Sequence, residues 1–179
     1  MRKFTGAVAL VMLCAALSGC EEKLYNGTDG LIEKAREEFP LSDAATTEIK
    51  YGGMIITSDN ALAWYISGDE YQAHYYLPME IELKDSERCA FVRSYKPMTG
   101  DAKDIAYVKW NDGYVFIINN PDCAVLRITG GNGDRYESID SSRLPCVYYY
   151  PALNAEYGFL DSDGNELGAG SSEAQDGVE

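Results

Sequence analysis

Ile105-Ala-Tyr-Val-Lys-Trp-Asn-Asp-Gly-Tyr-Val-Phe-Ile-Ile118 is the stretch whose reading decides the fold. β-Branched and aromatic residues run up to Asn-Asp-Gly and away from it again, as two antiparallel strands joined by a short turn do. With Asp112-Gly113 as the two-residue turn, Trp110 stands opposite Val115 and Val108 opposite Ile117 on one side. Lys109/Phe116 and Tyr107/Ile118 take the other side. The first side is fully apolar and must be covered, and the expected cover is the N-terminal helix.

That helix spans Leu31 to Phe39. Leu31, Ile32, Ala35 and Phe39 fall on one face, Thr28 or Asp29 can cap the start, and Pro40 ends it. From Thr47 on, short β-branched and aromatic runs are broken by Gly, Asn, Asp and Pro. They predict strands near 48–51, 54–57, 62–67, 71–83, 90–95, 105–110, 114–119, 124–129, 147–150 and 157–160. Together these give an α+β domain with a mainly antiparallel, strongly bent sheet or partial barrel and one N-terminal helix. No repeat and no Pro- or Ser-rich linker divides residues 31–167, so one domain is expected there. Residues 168–179 are acidic, poor in apolar groups, and expected to be a disordered tail.

The chain has 179 residues, 46% hydrophobic and 25% charged, with 15 Lys+Arg against 29 Asp+Glu, a formal charge of -14. A surface of that sign does not attract nucleic acid. The N-terminus carries an address. Met1-Arg2-Lys3 is basic, Phe4 to Ala16 is apolar and too short to span a bilayer, and Leu17-Ser18-Gly19-Cys20 follows. This order resembles a bacterial lipoprotein signal peptide with its lipobox. The resemblance implies cleavage of residues 1–19 and attachment of diacylglycerol and an acyl chain such as palmitate to Cys20. It also implies a lipid-anchored place in the cell envelope, facing the periplasm. Glu21, where an inner-membrane lipoprotein would carry Asp, points to the outer membrane. Cleavage takes two basic and no acidic residues, so the mature 160-residue chain has a formal charge of -16. Residues 20–30 read as a lipidated tether that could extend about 33 Å.

His74 is the only histidine, which removes any two-histidine metal site, and no cofactor is implied. In the strand 71–83 the odd positions are apolar, so His74 shares the wetter face with Gln72, Tyr76, Glu80 and Glu82. No nucleophile falls within its reach: Cys89 lands opposite Leu83, about 30 Å along the strand at ~3.3 Å per residue. No residue is assigned a catalytic role. Cys89, Cys123 and Cys146 remain as disulfide candidates in an oxidising compartment. A simple meander brings Cys89 to Cys146, whereas an extra strand over 135–139 brings Cys123 to Cys146 instead. Asp161-Ser-Asp-Gly-Asn-Glu166 resembles the start of a calcium loop, but Gly164 stands two residues early and Ser172 replaces the closing Glu, so turn chemistry explains it.

Fourteen tyrosines complete the pattern, with Tyr148-Tyr149-Tyr150 placing rings on both faces of one strand. Tyr148, Tyr150, Tyr76 and His74 are the candidate partner-binding residues. The leading expectation is a membrane-anchored envelope lipoprotein whose acidic, Tyr-rich domain binds a basic protein, as an inhibitor or immunity factor would. The alternatives are an envelope hydrolase using His74 or the Glu80/Glu82 pair, and a structural or assembly lipoprotein of an outer-membrane complex.

Overall fold

The computed structural model describes residues 23–41, 46–58, 60–68, 74–99, 103–131, 133–151 and 154–172. Residues 1–22, the proposed lipid site Cys20 among them, Tyr71–Ala73 and residues 173–179 lie outside them. The helix forms where the pattern put it, as a 3-10 turn at Asp29–Leu31 running into α1 (Ile32–Glu38). No side-chain cap is made by Thr28 or by Leu31, the residue before α1; the Thr28 carbonyl accepts instead from Tyr65 Oη at 2.8 Å and from Leu31 N at 3.1 Å. Leu31, Ala35 and Phe39 are buried.

They pack on a six-stranded sheet built from β1 (Leu24–Asn26), β2 (Ile49–Thr57), β3 (Asn60–Ser67), β4 (Tyr75–Leu83), β5 (Arg88–Ser94) and β6 (Met98–Thr99), in the order β1-β5-β4-β3-β2 with β6 also on β4. The helix covers one face, against Ala61, Ala63, Tyr65, Leu77, Met79 and Ile81. The other face is covered by a second sheet of β7 (Ile105–Trp110), β8 (Gly113–Ile118), β11 (Cys146–Tyr150) and β14 (Gly170–Ser172). Leu62, Trp64, Ile66 and Tyr76 meet Val108, Trp110, Val115 and Ile117 there. A third sheet of β9 (Val125–Gly130), β10 (Gly133–Ser138), β12 (Glu156–Leu160) and β13 (Glu166–Leu167) covers the far side of the second. Among the described residues all strand pairings are antiparallel except β14 on β7. The fold is thus α+β and mainly antiparallel, with the strands shared among three open sheets.

The decisive hairpin differs from its expected form in two respects. Its turn is Asn111-Asp112, with Asn111 at φ +52°, and Trp110 pairs Gly113 while Val108 pairs Val115. Gly113 cannot sit in the turn because it is needed in the strand: a Cβ there would lie 2.0 Å from the Tyr150 carbonyl oxygen of β11. The apolar side also packs on β3 and β4 rather than on α1, and the other side is buried against the third sheet. The expected break at Gly52-Gly53 is a bulge within one strand, β2. A Cβ on Gly52 would meet Ile117 Cδ1 at 2.8 Å and one on Gly53 would meet Val147 Cγ2 at 2.8 Å, so the glycines let the second sheet come close.

Both ends of the domain extend further than the composition suggested. Leu24–Asn26 pairs with Arg88–Ala90 of β5, so the segment read as tether is built into the first sheet from Leu24 on. Gly170–Ser172 pairs with Ala106–Val108, so strand pairing continues past Leu167. Backbone hydrogen bonds need no apolar side chain, which is why composition did not reveal either strand.

Candidate functional site

The Leu144-Pro145 loop, whose peptide bond is cis, stands as a ridge between two recesses. One, of about 310 Å³, is lined by Lys50, Tyr51, Ile66, Gly68, His74, Asn119 and Pro145. The other, of about 350 Å³, is lined by Asp140, Arg143, Pro145, Cys146, Val147 and Tyr148. The chain reaches Pro145 through the 3-10 turn Ser141–Arg143, which Asp140 caps by accepting from Ser142 N at 3.1 Å and Ser142 Oγ at 2.6 Å. Those hydrogen bonds hold the Asp140 carboxyl below the usual carboxylate range.

In the first recess His74 leads into β4, and its Nδ1 lies 2.9 Å from Asp104 Oδ1. Asp104 ends the loop before β7, with φ +50° and a carbonyl that accepts from Asn119 N at 2.9 Å. Tyr76 Oη donates to the same Asp104 Oδ1 at 3.0 Å, and Asn119 Nδ2 donates to Tyr76 Oη at 3.4 Å. A carboxylate only accepts, so Nδ1 is the donor in this pair. Burial pushes the Tyr76 phenol far up and the Asp104 charge adds to it, so the hydroxyl remains a donor. The cluster is an oriented imidazole backed by a carboxylate, at the rim of a recess with one cation, Lys50.

Of the candidate binding residues, the structure brings His74 and Tyr148 to the two sides of the Pro145 ridge. Tyr76 is fully buried and offers no contact surface, because the second sheet covers the half of β4's face that the alternation made wet. Tyr150 is half-buried: its ring packs on Phe116 and Tyr157, and its hydroxyl donates to Glu137. Most tyrosines serve the interior. Tyr107, Tyr114, Tyr150 and Tyr157 surround Phe116 with ring centroids 4.7–6.3 Å away. Tyr148 lines the second recess, its phenol pushed up to about 12 by burial first and by a hydrogen bond to the Cys146 thiol second.

The Glu80 and Glu82 carboxylates each have a cation of their own as partner. Glu80 is bound to Arg93 at 2.7 Å and Glu82 to Lys84 at 2.8 Å. Cys89 stands opposite Leu83 as expected, in the cluster under α1, while Cys123 and Cys146 lie together between the second and third sheets. The meander that would join Cys89 to Cys146 is therefore not the topology. Asp161 holds a turn, with Oδ1 accepting from Asp163 N at 2.9 Å and Asn165 N at 2.8 Å. No helix among the described residues is long and apolar enough to cross a membrane. Sequence reasoning missed Asp104, Asn119 and Pro145. Asp104 is 30 positions from His74, and no spacing signal connects residues that meet only across two sheets.

Comparison of the chain with protein-family models, with curated proteins and with solved structures found no match in any of the three.

Proposed function

We propose that this chain is a lipid-anchored lipoprotein of the bacterial envelope, held through Cys20, whose acidic domain binds a basic protein and performs no chemistry of its own. The observation that carries the reading is how the cations are used. Among the described residues Arg36, Arg88, Arg93, Arg127 and Arg135 are each ion-paired to a carboxylate of the same chain, and the whole sequence carries 29 acidic against 15 basic residues. A field of that kind chiefly raises the association rate with a basic surface, and salt screens it over about 8 Å at physiological ionic strength. Tyr148 at the ridge supplies contact area at small entropic cost.

Crosslinking in intact envelopes tests this. A basic protein should be captured, its association rate should fall several-fold from low to high salt, and Tyr148→Ala should weaken the complex. Cys20→Ser should move the domain out of the membrane fraction. A salt-independent rate, or a complex indifferent to Tyr148, would sink the binding model, and retention of Cys20→Ser in salt-washed membranes would sink the anchor.

The His74–Asp104 pair favours a second reading, an envelope hydrolase in which His74 acts as the general base. No Cys thiol of the described chain shares a cluster with His74, so in this reading the nucleophile is a hydroxyl group or water. Hydrolysis of purified peptidoglycan or an acyl ester that disappears in His74→Gln would establish it over the binding model.

A further inference from the structure

We propose that Cys123 and Cys146 form an intramolecular disulfide that ties the start of β11, and with it the Pro145 ridge, to the turn after β8, while Cys89 stays a thiol. Cys146 opens β11 directly opposite Ile118, the last residue of β8, and its Sγ points at the Ile118 carbonyl oxygen at 3.8 Å. Five residues beyond Ile118 the chain has turned back on itself, with Cys123 N donating to Asn120 O at 3.2 Å. The two cysteines thus flank the same strand end, and both belong to the apolar cluster between the second and third sheets. Cys123 is fully buried and Cys146 half-buried. Cys89 sits on the far side of the first sheet, under α1, with its Sγ toward the Gly27 carbonyl at 3.6 Å. Two layers of sheet separate it from the others. Burial pushes the Cys123 thiol up to about 11, and the nearby charge of Cys146 adds to that, which agrees with the two groups being neighbours.

The pairing also settles the order of the chemistry. Cys146 is the more accessible thiol, so its thiolate attacks a sulfur of an external disulfide. That S–S bond breaks, one half leaves as a thiolate, and a mixed disulfide forms on Cys146. The Cys123 thiolate then attacks Cys146 Sγ and expels the second half. Two protein thiols lose two protons and two electrons, and the external disulfide is reduced to two thiols. The oxidant is a disulfide by chemical class, either an envelope thiol–disulfide oxidoreductase or glutathione disulfide. Only the availability of that oxidant in the cell rests on the envelope reading; the pairing rests on the shared place of Cys123 and Cys146 in one apolar cluster, where both are free thiols in the structure.

The test uses the full chain made in two ways: exported to the envelope, and produced reduced in a thiol-rich cytosol, then treated with glutathione disulfide. In both, alkylation of the unreduced, denatured protein and peptide mapping should find a Cys123–Cys146 link and an alkylated Cys89. The link should survive in Cys89→Ser and vanish in Cys123→Ser and Cys146→Ser, and reduction should lower the melting temperature of the parent by several degrees. Three alkylated cysteines after glutathione disulfide treatment, or a link to Cys89, would overturn the pairing. A link that forms in the purified protein but is missing from the exported one supports the pairing and overturns the envelope reading.

Discussion

Strands β3 and β10 are both antiparallel, yet they sit at opposite extremes of the molecule. β3 runs between β2 and β4 in a sheet covered on both faces, and every residue from Ala61 to Ser67 is buried. β10 pairs only with β9, and of its six residues Glu137 alone is even half-buried. Their sequences differ accordingly. Ala-Leu-Ala-Trp-Tyr-Ile has no period of two because neither face meets water, whereas Gly-Asp-Arg-Tyr-Glu-Ser keeps charges along an open edge. Stability is therefore concentrated in the two central interfaces, and the outer strands are free to carry the surface chemistry.

Alkali should expose the difference most fully. Burial raises the phenols of Tyr65 and Tyr76 far above 10 and pushes Tyr148 and Tyr149 up to about 12. A phenol whose folded pKa exceeds its unfolded value contributes stability that is complete below pH ~10 and is lost as pH rises through the folded value. The interior should then fail cooperatively as pH rises above ~10. Absorbance of tyrosinate and far-UV circular dichroism should change together; ionisation of most tyrosines near pH 10 with the sheet signal intact would break the account.

Phe116→Ala comes next. Five aromatic rings surround a side chain that is fully buried between two sheets, so removal leaves a cavity that rigid neighbours cannot fill. Urea unfolding should register a loss of about 3–5 kcal/mol. A smaller effect is expected from truncation after Leu167, which removes β14 and leaves the β7 edge unpaired. A loss of about 1–2 kcal/mol follows from a few exchanged backbone hydrogen bonds, and no change would mean that the pairing contributes nothing in solution.

What the sequence revealed depended on whether the cause was local. The α1 face, the alternation that puts Leu77, Met79 and Ile81 under the helix, and the hairpin of β7 and β8 are all written in period and turn residues. The two-residue shift of that hairpin was hidden because Gly113 answers to Tyr150, 37 positions away. Gly52-Gly53 looked like punctuation for the same reason: its partners Ile117 and Val147 belong to another sheet. The site was legible only in part. His74 and Tyr148 were visible as residue types, but the Asp104 that orients His74 and the Pro145 that separates the two recesses are products of the stacking of sheets. Tyr76 misled because alternation along a strand says which face a residue takes and not what later covers that face.

The smallest effect should come from β10. Tyr136 is 59% exposed, the most exposed large hydrophobic side chain described, and its hydroxyl donates to Asp134 at 3.3 Å. Tyr136→Ser should leave stability within about 0.5 kcal/mol of the parent, since it creates no cavity and strands no polar group. The edge itself is another matter. Asp134 and Arg135 stand where an added strand would have to pair, and charges there discourage association with a second copy. Replacing both, Asp134→Thr with Arg135→Val, keeps strand propensity and removes the charges that keep the edge solvated. The unfolding midpoint should again hardly move, while light scattering should detect concentration-dependent association that the parent lacks. If the double variant stays monomeric, the edge is protected by its twist and shortness rather than by its charges. If Tyr136→Ser alone destabilises the protein by more than about 1 kcal/mol, β10 belongs with β3 in the cooperative interior and the division between centre and rim fails.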